Sequence, residues 1–86
     1  MVDVFNGTTR QGEARAAMKR FEEAGYRGGH VGNASSKFAK STLYYLPGRR
    51  AEALAFQKEF PEFTVLRELR FSGGATLRAI IGSDYP

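Results

Sequence analysis

Five residues of one stretch, Glu13, Ala14, Ala16, Lys19 and Phe21, recur 39 residues further on as Glu52, Ala53, Ala55, Lys58 and Phe60. Each set has helical spacing and follows a run with strand-like alternation, so the chain reads as two β-α-β units. Ala14, Ala17, Met18 and Phe21 stand at i, i+3, i+4 and i+7, the buried stripe of a helix from about Thr9 or Arg10 to Ala24. Ala53, Phe56 and Phe60 form the matching line on a second helix, Arg49 or Arg50 to Phe60, which Pro61 stops. Leu54, with Ala51 and Ala55, is left on its other side. Two such units predict an α+β fold, a ferredoxin-like βαββαββ sandwich with both helices on one face of a mixed or antiparallel sheet.

The strands differ in strength. Val2 to Asn6 alternates and stops at Asn6-Gly7. Tyr26 to Gly32 is diluted by Gly28 and Gly29, which predicts a bulge or a close backbone approach. Ser41 to Leu46 is rich in β-formers and ends at Pro47-Gly48, while 64–71 and 75–81 are expected to join as a hairpin through Ser72-Gly73-Gly74. Thr8 and Gln11 fit a capping box for the first helix, Gly12 is expected to let that helix approach the sheet, and Gly25 fits a left-handed helix end.

With 86 residues there is room for one domain, 1–86, and a chain of that size buries only about 60–65% of its unfolded surface. A net charge of +4 is a mild bias towards anionic partners. The absence of Cys excludes disulfides, thiol catalysis and Cys-based zinc sites, and the single His30 excludes a multi-histidine metal site. His30 reads as an ordinary residue of an edge strand. Asp3 and Asp84, the only aspartates, have no nucleophile–base partners. No catalytic residue, metal or cofactor is therefore expected. No apolar run spans a membrane, and Met1-Val2-Asp3-Val4 starts a strand at once with no signal peptide. Such a chain is expected to be either cytoplasmic or a domain cut from a longer protein.

Two places could bind something. Asn6-Gly7-Thr8 lies between a strand and a helix, where free amides could hold an anion. The plainer reading is a tight turn with a capping hydroxyl. The second place is the sheet face away from the helices. Phe5 alternates away from Val2 and Val4, one of Tyr44 and Tyr45 must point from the core, and Arg78 and Ile80 share that parity. Arg67, Arg70 or Arg78 beside these aromatics would make a flat platform suited to sugar rings or bases, unless another domain covers it. Most of the other arginines read as solvated surface.

The ordered set Val2-Asp3-Val4-Phe5-Asn6-Gly7-Thr8, Arg10-Gln11-Gly12-Glu13-Ala14, Ala24-Gly25-Tyr26, Val31-Gly32-Asn33-Ala34, Ser41-Thr42-Leu43-Tyr44-Tyr45-Leu46-Pro47-Gly48 and Ile80-Ile81-Gly82-Ser83-Asp84-Tyr85 resembles the LytR C-terminal domain. Thr9 stands where that family has a second glycine, and the Gly28-Gly29-His30 strand is less apolar than its usual counterpart. The resemblance implies a non-catalytic accessory domain outside the cytoplasmic membrane, with an anchor expected upstream and no insertion of this segment itself. It would bind cell-wall glycan or an envelope protein and position a LytR–CpsA–Psr glycopolymer transferase in the same chain, whose catalytic residues are not in this sequence. The expected contacts are Phe5, Tyr44 and Arg78, with Asn6, Gly7 and Thr8 as a second group. The competing reading is an RNA-binding module with an RNA-recognition-motif-like sheet, although Ser41 to Pro47 lacks the basic-Gly-aromatic pattern of that motif.

Overall fold

A computed structural model describes all of residues 1–86. The elements follow one another as β1 (Val2–Asn6), α1 (Glu13–Glu23), β2 (Gly28–Asn33), β3 (Thr42–Tyr45), α2 (Arg50–Glu59), β4 (Val65–Glu68) and β5 (Leu77–Ile81). The five strands form one mixed sheet in the order β2-β1-β5-β3-β4. β1 runs parallel to β2 and β5, β3 parallel to β4, and β3 antiparallel to β5.

This order corrects the ferredoxin-like expectation. In that sandwich each β-α-β unit leaves a gap that another strand fills. Here β1 and β2 are direct neighbours, as are β3 and β4, and β5 enters between the two units. The expected hairpin of 64–71 with 75–81 is likewise absent, because β3 lies between β4 and β5. Burial accounts for the choice. Val2 and Val4 of β1 and Leu77, Ala79 and Ile81 of β5 are fully covered, so these strands hold the centre. The glycine-rich β2 and the charged β4 (Arg67, Glu68) are mostly open and take the edges.

Both helices do pack on one face. Phe21 of α1 lies 4.9 Å from Phe56 of α2 and 4.8 Å from Phe60, ring centroid to centroid. Phe63 and Tyr26 complete the aromatic cluster beneath them. Ala14, Ala17, Met18 and Phe21 are the buried residues of α1. Ala53 and Phe56 are buried on α2, whereas Leu54 is 44% exposed. Tyr85 closes the lower side against Phe63, with Arg20 held between the Tyr85 and Phe60 rings and 2.7 Å from Glu62.

The first helix begins later than expected. Asn6 donates from Nδ2 to the Arg10 carbonyl at 2.6 Å and accepts the Thr8 N–H at 2.9 Å, which ties residues 6–10 into a turn. The capping box of Thr8 and Gln11 does not form. Gly12 stands at the N-cap with φ 81°, a conformation that favours glycine, so its service is to the backbone rather than to helix–sheet packing. At the other end Gly25 has φ 100°, as expected, and the N–H groups of Gly25 and Tyr26 bond the carbonyls of Glu22 and Phe21. That pair of bonds satisfies two of the helix's orphan acceptors.

Candidate functional site

Strand alternation sends Val2, Val4, Leu43, Tyr45, Leu77, Ala79 and Ile81 towards the helices. It leaves Asp3, Phe5, Thr42, Tyr44, Arg78 and Ile80 on the other face. The register sets these side chains in rows. Asp3 pairs with Arg78 and Arg78 with Tyr44, while Phe5 pairs with Ile80 and Ile80 with Thr42. Tyr44 pairs in turn with Arg67 of β4.

Phe5, Tyr44 and Arg78 come together, as the alternation predicts. With Phe38, Leu69 and Ile80 they line a groove of about 290 Å³, bounded by the loop from Asn33 to Ser36. The Arg78 guanidinium carbon lies 4.9 Å from the Phe5 ring centroid and 4.4 Å from that of Phe71. Both rings thus present a face to the guanidinium. Its Nη2 stands 3.6 Å from Asp3 Oδ2 and donates to the Ser72 carbonyl at 3.4 Å.

Asp3 is the residue that sequence reading missed. Its side chain is buried, and only one of its two carboxylate oxygens is hydrogen-bonded. Oδ1 accepts the backbone N–H of His30 at 2.7 Å, and Oδ2 faces Arg78. Gly29 makes this approach feasible, since a Cβ there would collide with Asp3 Oδ1. The register of β1 on β2 also shifts between Val2 and Val4 at this point. Both the bulge and the close approach expected at Gly28-Gly29 are therefore present. Gly32 serves the next residue of the same face in the same way, with the Phe5 ring 3.2 Å from where its Cβ would be. The exposed His30 side chain sits on the edge strand with Nδ1 3.5 Å from Asp3 Oδ1. The signal for Asp3 was its parity with Phe5. Phe71 was hidden by the hairpin assigned to its segment.

Asn6, Gly7 and Thr8 are not part of this groove. The Gly7 N–H bonds the Ile81 carbonyl at 2.8 Å, the Thr8 N–H bonds Asn6 Oδ1, and the Arg10 N–H bonds Thr8 Oγ1 at 3.1 Å. These amides are engaged within the chain, and the turn precedes the helix rather than opening it. A separate shallow depression brings Gly7 and Thr8 near Arg10 and Lys37. Arg10 is paired there with Glu13 at 2.6 Å, and Lys37 donates to the Thr8 carbonyl at 3.3 Å. Asp84 serves the framework as well, because its Oδ1 accepts both the N–H and the hydroxyl of Ser41, at 2.8 and 2.9 Å. These bonds fasten the C-terminal tail to the start of β3.

No helix is long and apolar enough to cross a membrane. Among solved structures, the fold is similar to the soluble domain of a conserved hypothetical secreted protein from Mycobacterium marinum, with a TM-score of 0.76 over 99% of this chain. At 19% identity the likeness is one of fold, and the chain spans 60% of that neighbour's length. No curated protein matches the chain. The family described as LytR cell envelope-related transcriptional attenuator matches residues 1–85, and the chain belongs to that family, the LytR C-terminal domains of cell-envelope proteins.

Proposed function

We propose that this non-catalytic accessory domain binds cell-wall glycan through the groove on its helix-free sheet face, and so positions an attached LytR–CpsA–Psr transferase. The family is one of accessory domains of the cell envelope, which supports a role in binding rather than in chemistry. The observation that carries the reading is the meeting of Phe5, Phe38, Tyr44 and Ile80 in one groove beside hydroxyl-bearing Ser35 and Ser36. Ring faces stack on the C–H faces of sugars, and short polar side chains meet their hydroxyls. An RNA-recognition-motif reading has less to stand on, because the strand order differs from that motif's sheet.

Titrating the ¹⁵N-labelled chain with soluble peptidoglycan fragments is expected to shift resonances of Phe5, Phe38, Tyr44 and Arg78. Tyr44→Ala should weaken binding about tenfold, the scale of one aromatic contact near 1.4 kcal/mol. Shifts confined to the Gly7–Arg10 turn, or none at any concentration, would reject the groove as the glycan site. A protein partner on the same face would then be the reading to pursue.

A further inference from the structure

The open-face row through Asp3, Arg78, Tyr44 and Arg67 is uneven in charge. Register puts one arginine on each side of Tyr44, with Asp3 beyond Arg78. The Arg78 charge is answered by Asp3 at 3.6 Å, and the Phe5 and Phe71 rings each present a face to it. An anion about 4 Å in front of Arg78 would stand roughly twice as far from Asp3, so about half of the attraction is cancelled by the inverse dependence on distance. Arg67 differs in each respect. Its chain neighbour Leu66 packs against the core, which leaves Arg67 on the opposite face. It is exposed and takes part in none of the chain's ion pairs.

We infer that Arg67 is the residue that reads charge on the ligand: a carboxylate or phosphate carried on a pyranose ring stacked at Tyr44. Arg78 is then a positioning residue, which holds Phe5 and Phe71 in place. A guanidinium offers paired donors that match either acidic group, and one outside any ion pair is not offset by a neighbouring carboxylate. The net charge of +4 acts in the same direction. This assignment rests on the reading of the groove as a glycan site and names the class of glycan.

The test is an NMR or calorimetric titration of the chain with three oligosaccharides of similar length: neutral N-acetylglucosamine units, a glucuronate-containing chain and a phosphorylated hexose chain. At low salt the acidic sugars are expected to bind roughly fivefold more tightly than the neutral one, the scale of an exposed ion pair, and the advantage should shrink as salt rises. Arg67→Gln should abolish the advantage and leave neutral-sugar affinity within about twofold, whereas Arg70→Gln should preserve it. Equal affinity for neutral and acidic sugars, or an advantage that survives in Arg67→Gln, would overturn the role of Arg67 while leaving the glycan groove intact. If none of the three sugars binds, the glycan reading itself fails. Preference for a short RNA over all three, lost in Arg67→Gln, would assign the row to nucleic acid instead.

Discussion

Tyr85 places its ring 5.8 Å from Phe63 and accepts a hydrogen bond from Arg20 on its hydroxyl. Burial raises its pKa above the usual 10.0, and the Arg20 guanidinium offsets only part of that rise. Tyr26, against Phe56, shifts in the same direction through burial and the nearby Glu59 and Glu52. Both phenols hold their protons longer in the folded chain than in the unfolded one. Their contribution to stability is complete below about pH 10 and is lost as pH rises through the folded-state values. The urea midpoint is therefore expected to be flat from about pH 7 to 9 and to fall above about pH 10. Tyr85→Phe should flatten that fall and cost about 1 kcal/mol near neutrality, the net worth of one hydrogen bond. An alkaline slope identical in Tyr85→Phe and wild type would assign the loss to other groups. Parity alone located Phe5 and Arg78 at this scale. The Asp3–Arg78 pair was not legible, because it depends on β5 lying directly beside β1.

Gly25 ends α1 with a backbone conformation that side chains resist, and α1 is the connection that brings β2 beside β1. Gly25→Ala should cost about 1–2 kcal/mol, the penalty for a left-handed L-residue, and urea denaturation would measure it. A neutral result would mean that the turn relaxes without a glycine. The helix faces and this helix end were legible because they depend on residues three to five apart. The start of α1 was not, since the side chain of Asn6 engages the Arg10 carbonyl and holds the intervening turn out of the helix. The partner of β4 was illegible for a different reason. Ser72-Gly73-Gly74 has turn chemistry that suits a hairpin, but a pairing is decided by competition among all strands for the buried centre. β5, with Leu77, Ala79, Ile80 and Ile81 buried, wins that place against both neighbours.

On the helix side the two β-α-β units meet where Phe21 touches Phe56, Phe60 and Phe63 ring to ring. The near-repeat in the sequence maps onto this junction, because Phe21 and Phe60 are equivalent positions and stand 4.8 Å apart. Phe21→Ala and Phe56→Ala should each cost about 3–5 kcal/mol, as truncation of a buried ring does. A chain of 86 residues has on the order of 4–13 kcal/mol in total, so either change removes a large share of it. Leu54→Ala, on the exposed side of α2, should cost less than about 1 kcal/mol. Chemical denaturation of the three variants checks the set, and a Leu54 loss equal to that of Phe56 would show that this side of α2 is packed against something.

The pairing of residues 2–6 with 77–81 joins nearly the whole length of the chain. During synthesis the first strand therefore waits for the last, and neither β-α-β unit has a completed sheet to rest on until β5 has emerged. β5 therefore acts as a lock: until it is in place, nothing joins the two halves of the sheet.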